Sequence, residues 1–292
     1  MKEIIIISGK GGTGKTSITA SLAYLSANNA VIADCDVDAA DMHLLMQPDL
    51  AYTEDFFSGQ LAEIDPGKCT GCGICAEKCR FNAIEPGDGL FRIIPLNCEG
   101  CGYCARVCPE EAIKMIDQKA GQYFISGSKF NNTLVHARLG IGAENSGKLV
   151  AKVKKEARRI ALETGAEFII VDGSPGIGCP VVSSLSGAHF VVLVTEPTVS
   201  GLHDLKRVYE LVKRFNLRAG CIINKYDLNL EIAAEIINFL ESESVEHISN
   251  IPYSEEFTAA MIRGMTIVEE SNTNLKHLLE NSWEKIKDLT LK

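Results

Sequence analysis

Gly9-Lys10-Gly11-Gly12-Thr13-Gly14-Lys15-Thr16 decides how this chain is read. The string satisfies G-x-x-x-x-G-K-[ST], and it lies between an apolar run, Lys2 to Ile7, and a helical stretch, Thr16 to Ala27. Glycine tolerates backbone angles that turn successive N–H groups into one concavity, so such a loop cradles phosphate oxygens at the positive end of the following helix. Lys15 then reaches the β and γ oxygens, and the Thr16 hydroxyl ligates Mg²⁺. The candidate triphosphate residues are therefore Gly9, Gly11, Gly12, Thr13, Gly14, Lys15, Thr16 and Ser17. A second G-x-x-x-x-G-K string, Gly142 to Lys148, is followed by Leu149; without a hydroxyl for the metal it reads as a loop.

Outward from that loop, short apolar runs recur at Ala30 to Ala33, Phe168 to Val171, Phe190 to Val194, Cys221 to Ile223 and Ile248 to Ile251. Helical stretches near Lys148 to Glu163, Val199 to Phe215 and Leu230 to Leu240 alternate with them. Strand and helix in alternation predict an α/β fold, a mostly parallel doubly wound sheet covered by helices. Between Leu61 and Gln118 the texture changes, with eight of the eleven cysteines, four prolines and little helical periodicity. We expect residues 61–118 to be an inserted small α+β domain and residues 1–60 with 119–292 to form the nucleotide domain.

The chain is 292 residues long, 46% hydrophobic and 23% charged, enough for a full core plus a small insert. Its net charge is -9 and it has no run of five basic residues, which argues against a nucleic-acid partner. Met1 to Ser8 enters the first strand directly and no apolar stretch of bilayer length occurs, so the expected location is the cytoplasm. The apolar face of Asn274 to Leu289 (Leu275, Leu278, Leu279, Trp283, Ile286, Leu289) suits docking on the sheet better than a membrane, because Glu280, Glu284 and Asp288 dilute its basic face. Lys152 to Arg159 reads as a solvated basic helix face.

In a reducing compartment eleven cysteines stay thiols or bind metal. Cys69, Cys72, Cys75 and Cys79 recur 29 positions later as Cys98, Cys101, Cys104 and Cys108, and Ala83-Ile84 recurs as Ala112-Ile113, so the unit is duplicated. C-x2-C-x2-C-x3-C, met twice, resembles the ligand run of bacterial ferredoxins, in which three cysteines bind one 4Fe-4S cluster and the fourth reaches the other. That resemblance implies one cluster on Cys69, Cys72, Cys75 and Cys108 and a second on Cys98, Cys101, Cys104 and Cys79. Zinc is the competing reading of C-x2-C pairs, though zinc ribbons do not need three cysteines at successive spacings of three. Cys108 is followed by Pro109 as the run expects, whereas Cys79 is followed by Arg80, a cation that raises the potential of that cluster or faces a partner. Cys35, Cys179 and Cys221 read as small apolar residues; Cys179 follows the Asp172 segment near where the nitrogenase iron protein holds a bridging cluster.

Lys10 sharpens the phosphate-loop reading, because K-G-G-x-G-K-[ST] resembles the deviant Walker A motif of the MinD/ParA superfamily. The resemblance covers everything except the insert. It implies that Lys10 acts across a homodimer or paralogous dimer on the partner's phosphates, with Lys15 in cis. Asp34-Cys35-Asp36-Val37-Asp38 is similar to the family's switch I, which implies Asp36 as the residue that positions the attacking water and supports Mg²⁺; Asp38 and Asp41 read as a polar strand end. Phe168 to Gly176 looks like Walker B with switch II, implying Asp172 as a magnesium carboxylate and the Gly176 amide as a γ-phosphate contact. Asn224 matches the residue that meets the adenine edge; Asn224-Lys225-Tyr226-Asp227 also resembles a GTPase base motif, in which Asp227 would bind guanine, and the Lys10 signature favours ATP.

These expectations converge on an ATP-hydrolysing iron-sulfur protein, with ATP, Mg²⁺ and two 4Fe-4S clusters, that couples nucleotide state to electron transfer toward a redox partner protein. The alternatives are a cluster carrier or scaffold ATPase, disfavoured because no cysteine follows Cys221, and a MinD-like positioning ATPase with structural or sensory clusters.

Overall fold

The computed structural model describes residues 1–49, 51–140, 142, 146–270 and 274–292. The Gly142 to Lys148 string includes residues 143–145, which lie outside the described residues. The chain runs β1 (Lys2–Ile7), α1 (Lys15–Ser26), β2 (Ala30–Asp34), α2 (Met42–Met46) and β3 (Tyr52–Ile64). The cysteine-rich segment follows as α3 (Ile74–Lys78), β4 (Ile84–Gly87), β5 (Leu90–Ile93) and α4 (Tyr103–Val107), and leads into β6 (Ile113–Gly127) and β7 (Thr133–Leu139). Then come α5 (Ser146–Thr164), β8 (Phe168–Asp172), α6 (Cys179–Leu185), β9 (Phe190–Thr195), α7 (Val199–Arg214) and β10 (Ala219–Asn224). The chain ends with α8 (Leu230–Ser242), β11 (Glu246–Ile251), α9 (Glu256–Ile262), α10 (Ile267–Glu270) and α11 (Asn274–Leu291).

One nine-stranded sheet has the order β11-β10-β9-β1-β8-β2-β7-β6-β3, and a small antiparallel pair, β4-β5, stands apart from it. From β11 through β7 every strand pair is parallel. The residues explain this arrangement: β2, β8, β9 and β10 are buried along their whole length and consist almost wholly of apolar side chains, as strands with helices on both faces must. Parallel pairing also brings the carboxyl ends of β1, β2, β8 and β10 to one edge, where ligands of open α/β sheets bind.

The chain divides into two compact units, residues 1–54 with 123–138 and 146–292, and residues 55–122 with 139–145. Within the first, α11 sets Leu275, Leu279, Trp283, Ile286 and Leu289 into the core beside Ile18 and Leu22 of α1. Trp283 meets Phe168 edge-on with ring centroids 5.5 Å apart. Trp283→Ala should therefore lower stability by about 3–5 kcal/mol, read as a shift in the urea midpoint; a change under about 1 kcal/mol would show that the C-terminal helix is not part of the core. Among the described residues no helix is long and apolar enough to cross a membrane.

Candidate functional site

The loop after β1 turns through left-handed Gly12 and Gly14, with φ of 79° and 86°. Gly14 caps α1 without a side-chain hydrogen bond and the first turn carries no acidic residue, so the opening amides of the helix remain open to an anion. At Gly14, already left-handed, a Cβ would also stand 2.3 Å from Asn224 Nδ2, so a side chain there would be strained and would displace Asn224.

Lys15 is buried, with its Nζ 2.9 Å from Asp172 Oδ1 and 3.6 Å from Asp36 Oδ2. Thr16 donates to Asp172 Oδ2 at 2.8 Å, and Thr19 donates to Asp172 Oδ1 at 2.8 Å. Asp34 pairs in register with Asp172 across β2 and β8, and among the described residues its Oδ2 has no hydrogen-bond partner. Three carboxylates thus surround one ammonium, and the electrostatics follow. Burial alone would pull the Lys15 pKa down, but Asp172 and Asp36 outweigh it and hold the pKa above its ordinary value. Burial, followed by the neighbouring Asp172, lifts Asp34 well above the usual carboxylate range. Burial also lifts Asp36 to about 6, against the lowering pull of Lys15. Surplus negative charge beside a hydroxyl suits a hard divalent cation, so Thr16, Asp36 and Asp172 fit Mg²⁺ by donor chemistry.

A raised carboxyl pKa has a defined pH signature. Folded Asp36 keeps its proton where the unfolded chain has lost it, so its contribution to stability declines as pH rises from 3.8 to about 6. A cation that needs the carboxylate must displace that proton. Affinity for Mg²⁺ should therefore increase as pH rises through about 6, with proton release detectable by calorimetry in two buffers. A flat profile would mean that Asp36 is not a ligand.

Lys10 is held within its own chain: its Nζ lies 2.7 Å from Glu196 Oε1, 2.9 Å from Ser200 Oγ and 3.2 Å from Thr198 Oγ1. Glu196 also takes Lys225 Nζ at 3.0 Å, and Lys225 donates at 3.0 Å to the Gly12 carbonyl. The Gly176 amide donates to the Ser8 carbonyl at 2.9 Å, so it meets a γ-phosphate only once that bond opens. Asn224 Nδ2 donates to the Thr13 carbonyl at 2.8 Å and so braces the phosphate loop. Beside it a cavity of about 180 Å³ is lined by Gly12, Asn224, Pro252, Tyr253, Phe257 and Met261 among others. Those apolar side chains suit the face of a base. Asp227 is not among the lining residues; its Oδ1 instead accepts from the Tyr253 amide at 2.6 Å and shapes the loop above the cavity.

Asp38 and Asp41 are exposed, and neither contacts Lys15; Asp38 acts on Asp36 only through its charge. Thr19, Glu196 and the Pro252 to Met261 wall carry no local sequence signal, and Lys225 is marked only as part of the Asn224 to Asp227 string. Their residue types are unremarkable, and only the folding of distant segments brings them to the loop; Asp34 lay within the quoted acidic string but was not singled out.

Within the second unit the duplication is structural as well. Helices α3 and α4 begin after left-handed Gly73 and Gly102, whose φ values are 77° and 71°. Asn82 and Glu111 repeat a positive φ of 50° and 49°. The Ala83 amide donates to Cys79 Sγ and the Ala112 amide to Cys108 Sγ, both at 3.4 Å. Eight cysteines line two cavities: Cys79, Cys98, Cys101 and Cys104 one of about 400 Å³, and Cys69, Cys72, Cys75 and Cys108 one of about 20 Å³. Burial raises the thiol pKa values of Cys75 and Cys104, while the amides of Ala76 and Ala105 pull them back by donating to sulfur. Among the described residues no group of three or more His, Cys, Asp or Glu side chains is gathered as the ligand set of a metal ion. Outside this unit Cys35 and Cys221 are buried, and burial raises both thiols far out of the reactive range. Cys179 is exposed at the start of α6.

Comparison with known proteins places these features. The chain is 32% identical over 288 residues to the uncharacterized protein MJ0578 of Methanocaldococcus jannaschii, covering 98% of this chain and 96% of that one. It is 25% identical over 127 residues, 41% of the chain, to the septum site-determining protein MinD of Thermotoga maritima. In fold it is similar to MinD of Pyrococcus horikoshii, solved with Mg-ADP, at a TM-score of 0.59 and 19% identity over 99% of this chain and 96% of that chain. A model of the CobQ/CobB/MinD/ParA nucleotide binding domain matches residues 4–267, and with the phosphate loop, the carboxylate cluster and the parallel sheet all inside that span, the chain belongs to that nucleotide-binding family.

Proposed function

We propose that this protein binds and hydrolyses ATP with Mg²⁺ and couples its nucleotide state to electron transfer through two 4Fe-4S clusters. The observation that carries the reading is the partition of eight cysteines into two four-cysteine cavities, each taking one member from the other half of the repeat. This partition is what the crossed ligand sets of two-cluster ferredoxins would require. Cys69, Cys72, Cys75 and Cys108 would hold one cluster, and Cys98, Cys101, Cys104 and Cys79 the other. When bound, the clusters supply one-electron chemistry.

The chain's own residues account for the nucleotide chemistry. The loop amides and Lys15 bind the β and γ oxygens, and Thr16 with Asp172 orients the cation. Asp36 holds the attacking water, whose O–H donates a hydrogen bond to the carboxylate. The apolar wall from Pro252 to Met261 takes adenine. Lys10 neutralises charge on the phosphates of a second copy, which requires it to leave Glu196. Glu196→Gln should therefore favour nucleotide-dependent pairing, lowering the ATP-Mg²⁺ concentration needed for dimers several-fold by sedimentation; unchanged pairing would count against Lys10 acting in trans.

The test of the whole reading is anaerobic iron and sulfide analysis, followed by reduction and reoxidation of the holoprotein with and without ATP-Mg²⁺. Stoichiometric iron with rates or potentials that respond to nucleotide supports it. Clusters indifferent to nucleotide would point to a structural role, and clusters surrendered to an apo-acceptor would point to a carrier.

A further inference from the structure

Because the two halves of the cysteine unit are related by 29 positions, each residue lining the small cavity has a counterpart lining the large one, and the differences are informative. Phe91 lines the small cavity, and its Cζ lies 3.2 Å from where a Cβ on Gly73 would be; its counterpart in the large cavity is Ala62. The replacement of a ring by a methyl group contributes to the contrast between about 20 Å³ and about 400 Å³. Arg80 lines the large cavity where Pro109 lines the small one. Among the described residues no carboxylate pairs with Arg80, whereas Lys78, on the same wall, is held by Glu77 at 2.8 Å. Glu99 adds one carboxylate to the large cavity, and Glu110, the counterpart of Phe81, adds one to the small cavity with no cation beside it.

A four-cysteinate cluster is anionic and becomes more so on accepting an electron, so cations and solvent-accessible space favour its reduced form while anions and apolar walls oppose it. Both differences act in one direction. We propose, building on the cluster assignment above, that the two sites are electrochemically unequal: the Cys79, Cys98, Cys101, Cys104 site has the higher potential, and Arg80 is the residue that raises it. Glu110 depresses the other site in the same way. An electron taken up by the chain settles at the Arg80 site, which also has the more open cavity toward an external acceptor.

The experiment is an equilibrium titration of the anaerobically purified full chain with dithionite, one electron per cluster, followed by electron paramagnetic resonance. Iron and sulfide are measured first, because a chain without iron removes the assignment on which this rests, whereas an iron-replete chain tests the inequality itself. The wild type should show two resolved midpoints. Arg80→Gln, a change at an exposed position, should lower only the higher one, by about tenfold in the reduction equilibrium or ~59 mV for one electron. Arg80→Lys should retain most of the wild-type value. Glu110→Gln, also exposed, should raise only the lower one. A single shared midpoint in the wild type, or an Arg80→Gln shift that is absent or equal at both sites, overturns the proposal.

Discussion

Lys15→Gln is expected to reduce ATP hydrolysis by about 10²–10³-fold or more and to weaken nucleotide binding to the point where calorimetry detects little heat. The reason lies in what Lys15 touches. Its ammonium is the only cation contacting Asp172 and Asp36, at 2.9 and 3.6 Å among the described residues, and Asp34 lies against Asp172. Glutamine keeps the length of the stem but leaves a buried carboxylate cluster without its counter-charge. The empty protein should lose stability as well, about 3–5 kcal/mol for a broken buried pair, unless the carboxyls take up protons. Mg²⁺ should restore part of that stability, because a divalent cation replaces the missing charge. Adding Asp36→Asn to Lys15→Gln should likewise recover stability without recovering hydrolysis. Thermal unfolding with and without Mg²⁺, beside a phosphate-release assay, separates the two effects. A Lys15→Gln protein that hydrolyses ATP normally would mean that the loop is not a triphosphate site.

The second large effect is expected on removing iron. Among the described residues of the cysteine unit the buried apolar cluster is small, Ala62, Cys75, Ile84 and Ile113, supported by half-buried neighbours that include Cys79, Cys98, Cys104 and Cys108. A segment of this size with so small a core is expected to be marginal by itself, and small domains of this kind often rely on metal or disulfide staples. All eleven cysteines are free thiols in this structure. Chelation under anaerobic conditions should therefore unfold residues 55–122 while leaving the larger unit intact. Limited proteolysis should cut within that range only after chelation, and circular dichroism should retain most of its helical signal. Cys101→Ser alone should remove about half of roughly eight irons per chain, taking the cluster of its own cavity, and Cys72→Ser the other half. Protease resistance unchanged by complete iron removal would show that the unit folds without metal.

How much of this was legible in the sequence depends on whether the signal is local. The phosphate loop was, because its chemistry needs a short string in one order between a strand and a helix. The mostly parallel sheet was, because strands buried on both faces are written as unbroken apolar runs such as Phe168 to Val171 and Phe190 to Val194. The long strands β3 and β6 were not foreseen. Most of β3 is exposed, so it carries no apolar run, and its pairing rests on backbone hydrogen bonds that any sequence can make. Asp34 shows the same limit from another side. Nothing in Asp34-Cys35-Asp36 tells which carboxylate is deepest; the register of β2 against β8 decides that.

By itself, then, the order of residues determined the nucleotide-binding class, the alternating α/β architecture and the duplicated cysteine run, since each is a pattern of nearest neighbours along the chain. Tertiary structure alone decided that Lys10 rests on Glu196, that Asn224 braces Thr13, and that Pro252 to Met261 wall the cavity beside Asn224. These partners are separated by tens to hundreds of residues, and only the closing of the sheet brings their side chains together.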